Sequence, residues 1–217
     1  IHKMNNKKQT LPSEPLHQRV ITKSLYLSQS DLTANKFPLF DPSDRSTILI
    51  EGVKASSSLV GWYTPDLWGT TSPNSGNSKN VYAMDCEMVR TAVGLELGRV
   101  TVVDVNRKTI YDKYVKPPNP ILDYLTTFSG LTPKLLNDAA AVDISTVQKH
   151  IFANIVKPGD VIIGHSLEND FLALRVALPL TLSDSTPRIA DSAALFARRG
   201  GGRHGLAYLS NVVLGRE

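Results

Sequence analysis

Between residues 80 and 217 the apolar positions fall into short runs of strand length, interrupted by stretches with helical spacing. Val81-Tyr82-Ala83-Met84 is a compact apolar run that closes in Asp85-Cys86-Glu87-Met88, which predicts a first strand over 81–87. Strands are also predicted over 97–105 and 109–115, near enough in sequence to form an antiparallel meander. Ile144, Val147, Ile151 and Ile155 recur near every 3.6 residues and predict a helix over 144–156, after a shorter one over 132–137. Val161 to Ile163 reads as a buried strand broken by Gly164. Leu167, Phe171, Leu174 and Leu178 then return to helical spacing, with Ser166 as the expected cap. A short strand at 188–189 and helices over 191–198 and 206–213 complete the pattern. This alternation predicts an α/β fold, a mixed sheet flanked by helices.

Residues 1–78 read differently, as an N-terminal extension ahead of a domain over 79–217. Lys3 to Pro15 is polar enough to predict disorder, Phe37 to Asp44 holds two prolines and reads as a loop, and 46–53 is a candidate strand. Trp62, Tyr63 and Trp68 either pack onto the following domain or stack on bases; packing is the better reading. Residues 70–78, rich in Ser, Thr, Asn, Gly and Pro, predict a linker.

Composition narrows the function classes. A net charge of +4 and a pI near 9.1 suit a polyanionic partner, with basic residues gathered at His2, Lys3, Lys7 and Lys8 and again at Arg198, Arg199, Arg203 and His204. The single cysteine, Cys86, excludes an internal disulfide. No apolar run approaches the roughly 20 residues of a membrane helix, so no membrane partner is expected.

Candidate chemistry centres on the acids. Side chains at i and i+2 of a strand share a face, so Asp85 and Glu87 project together, roughly 6–7 Å apart at their Cα atoms. Two such carboxylates are either solvated acids at a strand end or a site for a hard cation such as Mg²⁺ or Mn²⁺. A second motif, Gly164-His165-Ser166-Leu167-Glu168-Asn169-Asp170, places Asp170 in the first turns of a helix, where the dipole favours a carboxylate. A strand–turn–helix that brings one acid beside two others is how a two-metal phosphodiester site is assembled. His165 reads equally as a turn histidine, and Glu168 as a residue on a solvated helix face.

These residues resemble the REX-type RNA exonucleases, of the histidine subclass of the DEDD 3′→5′ exonuclease superfamily. Asp85-Cys86-Glu87-Met88 is similar to that family's first motif and Gly164 to Asp170 to its second. Between them Gly94-Leu95-Glu96-Leu97, Arg99-Val100, Tyr114-Val115-Lys116-Pro117 and Ser129-Gly130-Leu131-Thr132 follow in the family's order, as do Asp191 to Phe196 and Leu206 to Ser210 beyond. The resemblance covers about residues 80 to 217 and implies an RNase H-like sheet. It also implies two Mg²⁺ or Mn²⁺ ions on Asp85, Glu87 and Asp170, and hydrolysis of RNA from a free 3′ end to nucleoside 5′-monophosphates. It further implies contacts to the 3′-terminal nucleotide from Met88, Gly130, Leu131, Thr132, His165 and Asn169, with Leu131 against the base, and a nuclear, nucleolar location.

One departure stands out. The family carries a third motif, a histidine followed five residues later by a fourth aspartate. No aspartate follows Asp191 here, and five residues after His204 stands Leu209. The reading that follows is a fragment cut at both ends, its last helix missing from beside 206–213. The alternative is a catalytically inactive RNA-binding module with an exonuclease-like fold.

Overall fold

The computed structural model describes residues 25–50, 53–54, 61–65, 80–182, 186–198 and 200–216. In chain order the elements are α1 (Gln29–Ala34), β1 (Leu39–Asp41), β2 (Asp44–Ile50), β3 (Val53–Lys54), β4 (Val81–Thr91), β5 (Gly94–Asp104), β6 (Thr109–Tyr114) and β7 (Ile121–Asp123). There follow α2 (Thr126–Ser129), α3 (Pro133–Leu136) and α4 (Ile144–Lys149), which runs on as a π-helical turn over His150–Ile155. The last are β8 (Val161–Gly164), α5 (Leu167–Ala173), β9 (Leu178–Pro179), β10 (Arg188–Asp191), α6 (Ser192–Leu195) and α7 (Leu206–Leu214).

The main sheet has the order β10-β8-β4-β5-β6, with β7 paired to the far end of β4. The meander β4-β5-β6 is antiparallel, as predicted, and β8 and β10 add in parallel on the other side of β4. This is the RNase H-like mixed sheet flanked by helices. β4 runs past the predicted end at Glu87 to Thr91, because a tight turn with Gly94 at φ 120° folds β5 straight back on it. Glycine adopts that backbone region without the clash a Cβ would bring.

The described part of residues 1–78 shares the core of the 79–217 domain. Leu27, Leu32, Phe37, Leu39, Phe40 and Ile48 are buried in one cluster with Met84, Val100, Ile151 and Phe171. The Phe37 ring meets Phe171 edge-on at 5.7 Å. Within the expected 37–44 loop, Leu39–Asp41 is a strand that pairs in parallel with β9 (Leu39↔Leu178, Phe40↔Pro179). The candidate strand at 46–53 is instead β2 and β3, antiparallel partners. Trp62 and Tyr63 pack against the same core. Lys3 to Pro15, Trp68 and the 70–78 linker lie outside the described residues.

Leu178 does not continue the helix of Leu167, Phe171 and Leu174. α5 ends at Ala173, Arg175 turns the chain at φ 51°, and Leu178 enters β9, wholly buried. The turn is held from outside: Gln148 Nε2 donates to the Leu174 carbonyl (2.8 Å), and the Arg175 guanidinium pairs with Glu96 (2.9 Å). Neither partner is local in sequence, so the apolar spacing alone suggested a longer helix.

Candidate active site

Asp85 and Glu87 lie on the central strand, paired across to Thr101 and Arg99 of β5. A bulge follows Glu87, opposite Gly98, where a Cβ would stand 2.4 Å from Leu131 Cδ1. Asp85 is exposed and Glu87 half-buried. Partial desolvation raises both carboxyl pKa values, and the Asp85 charge raises that of Glu87 further. Arg99 opposes both shifts, although it is engaged with Asp112 through two hydrogen bonds of 2.8 and 2.7 Å.

Asp170 comes to these acids through a close approach of α5 to β4. At Gly164 an added Cβ would lie 2.3 Å from Leu167 Cδ2 and 3.0 Å from the Met84 carbonyl oxygen, so only glycine lets the helix begin so near the strand. Leu167, Asp170, Phe171 and Leu174 stand at i, i+3, i+4 and i+7, which places Asp170 within the buried stripe of α5. It is 5% exposed. Burial, and after it the Asp85 charge, pushes its pKa up to about 7, against hydrogen bonds from the Cys86 thiol and backbone. The Cys86 thiol, buried beneath, is itself pushed up by burial and by Asp170.

Ser166 occupies the cap position of α5, but at φ 61° and without a side-chain capping bond. The capping is done by Asp191, which sequence reasoning missed. Its carboxylate is 1% exposed and accepts the backbone N–H groups of Ser166 (3.0 Å), Leu167 (2.8 Å) and Ala193 (2.8 Å). Next to it the Ser192 hydroxyl donates to the Gly164 carbonyl (2.9 Å) and lies 2.9 Å from His165 Nδ1. A hydroxyl has one proton to give, so Nδ1 is the donor to it. The only sequence cue to Asp191 was an acid at a strand–helix junction.

The remaining expected contact residues separate into surface and interior. Gly130 is exposed at φ 66°, with open space where a Cβ would go. Thr132 caps α3, Met88 is half-buried against the main core, and the Asn169 amide is tied to Ser166 O and Glu168 Oε1. Leu131 departs from the expected base contact. It is 1% exposed, packed with Val89 and Leu136 in a second small core, because Gly98 leaves room for it. The apolar side chain that this turn offers to solvent is Phe128, 87% exposed. Glu168 departs as well: it is buried and paired with Arg203 rather than solvated.

Among the described residues no three His, Cys, Asp or Glu side chains stand close enough to hold a metal ion. The donor chemistry nevertheless fits one. Asp85, Glu87 and Asp170 offer only hard carboxylate oxygens; burial raises the pKa of all three, and the Asp85 charge adds to the rise at Glu87 and Asp170.

A central strand in this sheet order, with a helix packed on it after β8, defines the RNase H-like fold. The sequence is similar to RNA exonuclease 1 of Saccharomyces cerevisiae, 30% identical over 202 residues, covering 92% of this chain and 32% of that protein. It is also similar to the human RNA exonuclease 1 homolog, 42% identical over 141 residues, covering 65% of this chain and 10% of that protein. Human RNA exonuclease 5 is 37% identical over 137 residues, covering 63% and 16%. The chain therefore spans a third or less of the length of these relatives. No family model matches it. Its backbone resembles the Pan2 catalytic unit of Neurospora crassa (TM-score 0.53, 20% identity, 87% of this chain and 29% of that one). It also resembles the Saccharomyces cerevisiae Pan2 pseudoubiquitin hydrolase–RNA exonuclease module solved in complex with A7 RNA (TM-score 0.52, 25% identity, 70% and 27%). The chain belongs to the REX-type exonucleases of the DEDD superfamily.

Proposed function

We propose that this chain supplies the catalytic sheet of a metal-dependent exoribonuclease that shortens RNA from a free 3′-hydroxyl and releases nucleoside 5′-monophosphates. The observation that carries the reading is the convergence of Asp85, Glu87 and Asp170 from two elements onto one end of the sheet, each with a raised pKa. Asp85 acts on both of the others and is the natural shared ligand. Mg²⁺ or Mn²⁺ bound there would lower the pKa of a water and stabilise the leaving 3′-oxygen. The protein's own part is to keep the three acids unprotonated and aligned. Asp170 must lose a proton that burial holds on it up to about pH 7, so binding of the cation competes with that proton.

The turn from Phe128 to Thr132 is the proposed seat of the 3′-terminal nucleotide. Gly130 leaves open space for a close backbone approach, and Phe128 offers an exposed ring for stacking. Nε2 of His165, on the ring edge away from Ser192, suits a hydrogen bond to a sugar hydroxyl. Asp191 is not available as a fourth acid, because both its oxygens are committed to backbone N–H groups.

The test is the full-length protein on 3′-labelled RNA with Mg²⁺ or Mn²⁺. Stepwise loss of monophosphates is expected, stopped by a blocked 3′ end and abolished by Asp85→Ala or Glu87→Ala without loss of fold. Cutting of circular RNA, or retained Mg²⁺-dependent activity in either variant, would sink the proposal. RNA bound but never shortened would favour the binding-module reading.

A further inference from the structure

Arg203 joins three segments that are far apart in the chain. Its Nη1 donates to Ser166 Oγ (3.2 Å) and pairs with Glu168 Oε1, while Nη2 donates to Asn35 Oδ1 (3.1 Å), at the end of α1. The loop that brings it there, Gly200-Gly201-Gly202, runs at φ 86°, 94° and 88°, a path that side chains with a Cβ rarely take. The Asn169 amide closes the arrangement by donating to the same Glu168 oxygen (3.0 Å) and to the Ser166 carbonyl (3.2 Å). Glu168 is 7% exposed, and its other oxygen, Oε2, has no hydrogen-bond partner among the described residues.

We propose that Arg203 is a positioning residue for the second acidic motif, and that Asn35 makes the N-terminal segment part of that support. The proposal rests on the nuclease reading above for its kinetic consequence, and on the geometry alone for its structural one. Ser166 holds the left-handed turn from which α5 starts, and Glu168 lies half a turn before Asp170. A buried carboxylate needs a cation or several hydrogen bonds to offset the water it has lost. Without the guanidinium, Glu168 Oε1 keeps only the Asn169 amide and Ser166 Oγ loses its donor, which loosens the turn that aims Asp170. Arg203 is about one-third exposed, so its charge alone is screened. What it supplies is a planar fork that reaches Ser166 and Glu168 from one nitrogen and Asn35 from the other, which the point charge of a lysine does not reproduce.

The experiment compares wild type with N35A, R203K and the double variant R203M/E168M. The double variant replaces the ion pair by an apolar pair, an exchange that often leaves stability unchanged. Hydrogen exchange is followed across residues 164–171 of this chain, with melting temperature alongside, and kcat and KM on 3′-labelled RNA are measured in the full-length protein. R203M/E168M should melt near wild type yet exchange about tenfold faster over 164–171. Its kcat should fall about 10- to 100-fold at nearly constant KM, the penalty expected of a displacement near 1 Å. R203K should show the same direction, and N35A a smaller acceleration confined to that segment. Wild-type exchange and wild-type kcat in R203M/E168M would overturn the positioning role, and unchanged exchange in N35A would remove the N-terminal contribution. If the wild-type protein leaves RNA untouched, the nuclease reading fails while the exchange data still decide the role of Arg203.

Discussion

Replacing Asp170 by asparagine should stabilise the fold when divalent cations are absent. Asp170 is 5% exposed, and burial together with the Asp85 charge moves its pKa from 3.8 to about 7. The folded state therefore keeps a proton that the unfolded chain releases. This group has no effect on stability below about pH 4, and stability falls as pH climbs from about 4 to about 7. Three pKa units at roughly 1.4 kcal/mol each set a ceiling of about 4 kcal/mol above pH 7. Side-chain relaxation and water entry reduce this to about 1–3 kcal/mol. In a domain of this size 1 kcal/mol moves the melting temperature by about 2–4 °C. The amide introduced by Asp170→Asn keeps the shape of the carboxyl group and can still accept from Cys86. D170N should therefore melt roughly 3–8 °C above wild type at pH 8 in EDTA, and the two should converge near pH 4. The assay is thermal unfolding of the 217-residue chain by circular dichroism, with EDTA and then with Mg²⁺ or Mn²⁺. The cation should raise the wild-type melting temperature and leave D170N little changed. A variant that melts at or below wild type at pH 8 in EDTA, with the same pH dependence, would refute the reasoning.

Two further substitutions test the surroundings of the acids. Gly164→Ala places a Cβ 2.3 Å from Leu167 and 3.0 Å from the Met84 carbonyl; it should destabilise the fold by about 1–3 kcal/mol, measured by urea unfolding, and adding Leu167→Ala should not return it fully because the carbonyl contact remains. Phe128→Ala removes an exposed ring, so the melting temperature should hold while KM for RNA rises; the loss of one base stack, about 1–3 kcal/mol, corresponds to roughly 5- to 150-fold, and an unchanged KM would exclude stacking at this turn.

The sequence made the acids legible because both periodicities are local. Strand alternation places Asp85 and Glu87 on one face, and helical spacing places Asp170 in the first turns of α5, while its burial came from the packing of that helix on β4. The meander and the strand at β8 followed from the same short-range patterns, but the parallel pairing of β8 with β4 did not. What the pattern could not give was decided by partners elsewhere in the chain. Leu178 leaves the helical register because β1 and Gln148 capture the chain after Leu174. Leu131 goes inward because Gly98, on another strand, leaves a space for it. Leu39 to Asp41, inside the 37–44 stretch read as a loop from its prolines, becomes a strand between β2 and β9.

The second motif shows how chemistry and geometry divide along the chain. The reactive group, Asp170, is read within its own seven-residue motif. Its placement is not: Asp191 and Ser192 bind the turn at 164–167 from more than twenty residues away, and Arg203, itself held by Asn35, reaches it from farther still. Such supports leave weak local signals, since an aspartate at a strand end or an arginine after three glycines is common on solvated surfaces. They become visible through burial and convergence, with Asp191 at 1% exposure and Arg203 spanning three segments. A chain that kept Asp85, Glu87 and Asp170 but lost these supports would still present the motif in sequence. It would not hold Asp170 in the desolvated position that sets its pKa and its distance from the other two acids.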